Sequence, residues 1–101
     1  MRVLVTGALG SIGMASVRAL VAHGHQVRTF DLHSRANARR RRELAGRVDT
    51  HWGDIRNSEQ VATAVADQDA VVHLAAILFP DSEADPERSH SVNVGGTRNL
   101  I

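Results

Sequence analysis

The sequence predicts an α/β fold: a parallel sheet in the strand order 3-2-1-4, with helices on both faces, in one domain spanning residues 1–101. Three observations carry that expectation. Short apolar runs alternate with helical patterns, which implies right-handed crossovers between parallel strands. The apolar residues are Val, Leu, Ile and Ala, with only two Phe, one Trp and no Tyr, as suits strands covered on both faces. Finally, the first apolar run breaks into glycines three apart, Gly7, Gly10 and Gly13, a pattern that turns a chain tightly from strand into helix.

Taken in order, Arg2 to Thr6 reads as the first strand, and Ser11 to His23 as a helix. Gly13, Val17, Leu20 and Val21 share one face of that helix, and Gly24 stops it. Gln26 to Leu32 is a second strand, followed by a polar, arginine-rich helix over Ala36 to Ala45 that ends at Gly46. Arg47 to Trp52 is a third strand. Asn57 caps a helix with Val61, Ala64 and Val65 facing inward. Ala70 to Ala75 is a fourth strand. Asp85-Pro86-Glu87 then starts a last helix with a cap, a proline in the first turn and an acid near the positive end.

Composition narrows the functional classes. Twelve basic residues, all arginine, face eleven acidic ones, so no large net field favours a polyanionic partner, and no nucleic acid is expected. The absence of cysteine removes disulfides, thiolate metal sites and cysteine nucleophiles. His23 and His25 flank Gly24 without a third ligand group, and no metal site is assigned. Three glycines and a Thr interrupt the apolar start, which argues against a secretory signal, and the run from Ala70 to Phe79 is half a membrane span. A soluble cytoplasmic protein is expected, with no membrane partner. Arg39 to Arg42 point around most of a helix circumference, so they read as a solvated face balanced by acids.

The chemistry gathers where strands end. A helix N-terminus offers unpaired N–H groups and partial positive charge, so the loop after the first strand suits a phosphate. Gly7 lets the chain leave the strand, Gly10 removes a side chain that would hold a pyrophosphate off the backbone, and Gly13 lets helix and strand pack closely. Asp31 ends the second strand 18 residues after Gly13, about the separation at which a carboxylate accepts hydrogen bonds from a ribose diol. Turn capping is the alternative reading of Asp31. Asp54 and Ile55 follow the third strand: the carboxylate suits an adenine amino group and the aliphatic side chain a ring face, although Gly53-Asp54 is also an ordinary turn. His73-Leu74-Ala75-Ala76 closes the fourth strand with small residues. His73 reads as a partly buried structural histidine.

These motifs in this order, with Asn93-Val94-Gly95-Gly96-Thr97-Arg98-Asn99-Leu100 after them, resemble the extended short-chain dehydrogenases/reductases, which include NAD-dependent nucleotide-sugar epimerases and dehydratases. The resemblance covers the whole chain and implies a Rossmann-type, NAD(P)-binding fold. It implies that the loop of Gly7, Leu9, Gly10, Ser11, Ile12 and Gly13 binds the pyrophosphate. Asp31, with Leu32 beside it, would take the adenosine ribose, and Asp54 and Ile55 the adenine. Leu74, Ala75 and Ala76 would lie along the middle of the cofactor, and Asn93 would support a proton relay. Asp31 repels a 2′-phosphate, which favours NAD over NADP, while Arg35, four residues on, and Arg28 are the cations that could oppose that preference.

One part of the family pattern is missing. Such enzymes use a Tyr and a Lys four residues apart beyond this last helix, and these 101 residues hold neither. No catalytic residue is therefore assigned, and the chain by itself is expected to be inactive. It reads as the cofactor-binding part of an epimerase- or dehydratase-type oxidoreductase acting on a nucleotide-sugar or similar hydroxyl or carbonyl substrate. The alternative is a non-catalytic module that senses NAD(P) or tethers a partner. An open edge on the fourth strand makes homo-oligomerisation a further expectation.

Overall fold

A computed structural model describes residues 1–75 and 85–101. Four parallel strands, β1 (Arg2–Thr6), β2 (Gln26–Asp31), β3 (Asp49–Trp52) and β4 (Ala70–His73), lie in the order β3-β2-β1-β4. β1 pairs with β2 through Thr6 opposite Phe30, and with β4 through Thr6 opposite His73. β2 pairs with β3 through Asp31 opposite Trp52. All four strands therefore finish along one edge, and their following loops meet there.

Alternation along β1 divides the core. Val3 and Val5 point to one face, where they pack with Leu9, Met14, Val17, Val27, Leu44 and Val48 under α1 (Ser11–Ala22) and α2 (Arg35–Glu43). Leu4 points to the other, against Phe30, Ile55, Val61 and Ala64 under α3 (Ser58–Val65). The last helix joins this second face through Val92 and Leu100. It runs as α4 (Pro86–His90), a π-helical turn (Ser91–Gly95) and α5 (Gly96–Leu100). Burial on both sides explains why β1 reads as a continuous apolar run.

Local chemistry sets the element ends. Ser34 caps α2 by accepting from the Asn37 N–H, which starts that helix one residue before the expected Ala36. Asn57 accepts from the N–H groups of Glu59 and Gln60, and Asp85 from that of Arg88, as the sequence predicts. β3 begins at Asp49 rather than Arg47, because Ala45–Arg47 form a 3₁₀ turn after α2. β4 ends at His73 rather than Ala75. The Leu74 N–H is shared between the Thr6 carbonyl and the Thr6 hydroxyl, at 3.1 Å each, and the Ala75 N–H turns to that hydroxyl at 3.3 Å, so the ladder goes no further. Gly24, at φ +87°, stops α1 in the left-handed conformation that glycine takes without strain. Among the described residues no helix is long and apolar enough to cross a membrane.

Candidate functional site: the loop between β1 and α1

Each glycine of the loop does something different. Gly7 has φ +65°, and a Cβ there would lie 2.8 Å from backbone atoms of Leu74 and Ala75, which cross over it. A Cβ on Gly13 would lie 2.2 Å from the Gly7 carbonyl oxygen, so the first turn of α1 sits directly on the loop. Protein packing thus requires both. Gly10 is unlike them: a Cβ there would meet nothing nearer than the Gly7 oxygen at 3.6 Å, an ordinary contact. Its missing side chain leaves a bare approach to the amino end of α1.

That helix end is also chemically open. Gly10 is the N-cap, no side chain caps the helix, and its first turn carries no acidic residue. By contrast, α2, α3 and α4 are capped by Ser34, Asn57 and Asp85, and Glu59 and Glu87 add an acid to the first turns of α3 and α4. The partial positive charge of α1 has no counterpart of that kind. Ser11 and Ile12 stand exposed at the opening, Ile12 at 71%. Leu9 is fully buried, so only its backbone belongs to the site.

Asp31 is joined to this loop directly. One carboxylate oxygen accepts from the Leu9 N–H at 3.0 Å, and the other from the Leu32 N–H at 2.8 Å. Each oxygen keeps lone-pair capacity for a further donor. Leu32 is half exposed beside it, its carbonyl accepting from the Asn37 amide at 2.7 Å. Arg40 on α2 completes the bracket by donating to the Leu9 carbonyl at 3.0 Å. The arginine run is therefore not simply a solvated face: Arg40 holds the loop, and Arg41 donates to Thr50 Oγ1 and to the Val48 carbonyl on the β3 side. A run of four identical residues on a helix gives no signal for which one reaches inward.

At the end of β3, Asp54 lies in an open groove lined by Arg56, Asn57, Gln60 and Ser91. The Arg56 guanidinium grips its carboxylate, with the shortest contact at 2.6 Å, and holds its pKa below the usual carboxylate range. Ile55 faces away from that groove. Only 5% exposed, its side chain packs in the core against Gly96, where a Cβ would lie 2.8 Å from it. The expected ring-covering role does not suit this side chain, because the second core needs it. Gly96 is thus explained by close approach, whereas Gly95 has open space around it.

A polar chain runs behind the loop. Thr97 donates its hydroxyl to the Asn93 carbonyl at 2.6 Å, so it must accept from Nε2–H of His73, 3.0 Å away. His73 Nδ1 then accepts from the Thr6 hydroxyl at 2.6 Å. Thr6 Oγ1 uses its lone pairs on the Leu74 and Ala75 N–H groups. Every group is satisfied with a neutral His73, and burial pushes the imidazole pKa below its ordinary value. This ties the ends of β1 and β4 to the helical turn carrying Asn93, which is half-buried. Neither Thr6 nor Thr97 is assigned as a site residue from the sequence; the signals are that Thr6 immediately precedes the first glycine and that Thr97 lies in the Asn93–Leu100 run. Leu74 and Ala75 lie over Gly7 as described, and Ala76 falls outside the described residues.

A profile of the 3-beta hydroxysteroid dehydrogenase/isomerase family matches residues 4–101. The chain is 43% identical to a 3-beta-hydroxysteroid dehydrogenase of Mycolicibacterium neoaurum over 99% of its own length and 27% of that protein. It superposes on Pen from Bacillus thuringiensis with a TM-score of 0.90 at 27% identity, covering 98% of this chain and 32% of that one. Against the Thermus thermophilus UDP-glucose 4-epimerase, a complex with NAD, the TM-score is 0.82 at 34% identity, over 99% of this chain and 32% of that one. The chain thus spans about a quarter to a third of the proteins it matches. The strand order, the glycine loop and the profile agree: the chain belongs to the 3-beta hydroxysteroid dehydrogenase/isomerase family of extended short-chain dehydrogenases/reductases.

Proposed function

We propose that the chain is the dinucleotide-binding part of an NAD-dependent oxidoreductase that interconverts a secondary hydroxyl and a ketone. The observation that carries this reading is the Asp31 carboxylate bonded to Leu9, beside an uncapped helix start. A ribose acceptor and a phosphate cradle are there built into one rigid turn. The residues fit the cofactor: Gly10 leaves the pyrophosphate a path to the N–H groups of Ser11, Ile12 and Gly13, and Asp31 accepts from the adenosine ribose with Leu32 alongside. Asp54 faces the adenine amino group, with Ile55 contributing through its backbone only. Leu74 and Ala75 line the centre of the cofactor, and Asn93 supports the proton relay. NAD is the preferred form, since a carboxylate at the ribose disfavours a 2′-phosphate.

When bound, the dinucleotide supplies the hydride acceptor; the residues of this chain bind and orient it. The relatives' names favour a steroid hydroxyl over a nucleotide sugar, the class suggested by the epimerase neighbour. The Tyr and Lys that such chemistry uses are not among these 101 residues, so the chain binds cofactor without turning over. A cytoplasmic protein that pairs with copies of itself is part of the same proposal. Calorimetric titration with NAD tests it: Asp31→Asn should weaken binding by about tenfold or more, as expected for losing a charge-assisted hydrogen bond. A folded chain with no measurable NAD binding would contradict the reading.

A further inference from the structure

Behind the glycine loop, one arrangement of protons satisfies every polar group. Thr97 gives its hydroxyl proton to the Asn93 carbonyl at 2.6 Å, so the His73 Nε2–H donates to the Thr97 oxygen at 3.0 Å. His73 Nδ1 is left as an acceptor, and the Thr6 hydroxyl donates to it at 2.6 Å. The two lone pairs of that hydroxyl oxygen take the N–H groups of Leu74 and Ala75. Thr6 is fully buried, so water does not make good a lost partner.

The same backbone touches the loop. Leu74 and Ala75, held by the Thr6 hydroxyl, cross Gly7, where a Cβ would lie 2.8 Å from them. Gly7 donates its N–H to the Phe30 carbonyl at 2.9 Å, and its own carbonyl lies against the first turn of α1 at Gly13. The loop at the amino end of α1 is therefore pinned between β2 and the end of β4. The β4 side of that grip depends on the Thr6 oxygen keeping both lone pairs for backbone.

A proton on His73 Nδ1 removes that condition. The Thr6 hydroxyl loses its acceptor, and a third donor arrives at its oxygen. The Leu74 N–H then retreats to the Thr6 carbonyl, also 3.1 Å away, and the backbone over Gly7 shifts with it. No opposite charge offsets the proton. Thr6 on β1, Asn93 on the π-helical turn and Thr97 on α5 surround the ring, and none of them titrates. Burial is the one cause of its lowered pKa, so neither Arg98, next to Thr97 in sequence, nor another charged group acts on it among the described residues.

We propose that the chain from Thr97 through His73 to Thr6 is a proton-sensitive clasp on the dinucleotide loop: neutral His73 holds the end of β4 over Gly7, and a proton on Nδ1 releases it and weakens dinucleotide binding. The inference rests on the dinucleotide reading above. His73 is a positioning residue that acts through Thr6.

Calorimetry with NAD across pH 7.5 to 5, with circular dichroism at each pH, tests it. Wild-type affinity should hold level above the ordinary histidine value of about 6.5 and fall by about threefold or more below it. His73→Gln keeps an acceptor oxygen and an N–H donor without a titratable group, so its affinity should stay level within about twofold. Linkage is reciprocal: by NMR on the wild-type chain, the His73 ring should titrate at a lower pH with NAD bound than without, a readout that needs no variant to fold. A titration of His73 that NAD does not move, or affinity level down to the pH at which the chain unfolds, would overturn the clasp and leave the dinucleotide reading standing. So would a slope that persists in His73→Gln, carried then by another group such as His33 on the loop after β2. A folded chain that binds no NAD at pH 7.5 would overturn both.

Discussion

Gly10 and Gly13 lie one turn apart, yet the fold needs only one of them. At Gly13 a methyl group would collide with backbone at 2.2 Å, and backbone cannot move aside as a flexible side chain can. Gly13→Ala should therefore cost about 3 kcal/mol or prevent folding, the upper end for overpacking. Gly10→Ala meets only an ordinary contact, and stability should change by less than about 1 kcal/mol. Its NAD affinity should nevertheless fall, because the methyl group occupies the approach to α1. Urea denaturation and calorimetry on the two variants separate the effects. The spacing of the glycines made their loop legible in the sequence. Which glycine serves packing and which serves a ligand was not, because that depends on how far β4 and α1 stand from the turn.

Between elements, the tie from β4 to the last helix is a set of hydrogen bonds centred on His73. A proton on Nδ1 would face a Thr6 oxygen already accepting from Leu74 and Ala75. The native state therefore favours neutral imidazole, and burial lowers its pKa. The unfolded chain, with an ordinary value of about 6.5, binds the proton more readily. Stability from this source is thus complete above that value and declines as pH falls from it towards the depressed native pKa. Asp54, whose pKa is also lowered, chiefly by the Arg56 hydrogen bond, acts in a more acidic window below its ordinary value of 3.8. Urea midpoints between pH 7.5 and 5 should fall for wild type and vary less for His73→Gln; identical pH dependence would exclude His73 as the source. Helix starts at Asn57 and Asp85 were legible because a cap and its partners lie within three residues. The end of β4 was not: it depends on a hydroxyl 68 residues away in sequence, on Thr6.

The whole molecule is a sheet with two cores that share β1. Leu4 serves one and Val3 and Val5 the other, so the loop leaving β1 is anchored from both faces. Strand order and two-sided burial were legible because continuous apolar runs and short crossovers allow few alternatives. The reach of Arg40 and the inward turn of Ile55 were not, since both depend on the distance between layers. β4 lies at an edge with Val71 exposed, a place where further chain or a second copy could pair. If a pyrophosphate rests on the amino end of α1 with the adenosine ribose at Asp31, the backbone of the glycine loop must feel the ligand first. Amide NMR during an NAD titration reads that placement residue by residue. The largest shifts should fall on Leu9, Gly10, Ser11, Ile12, Gly13 and Leu32. Unshifted amides in that loop, or shifts gathered elsewhere on the sheet, would refute it.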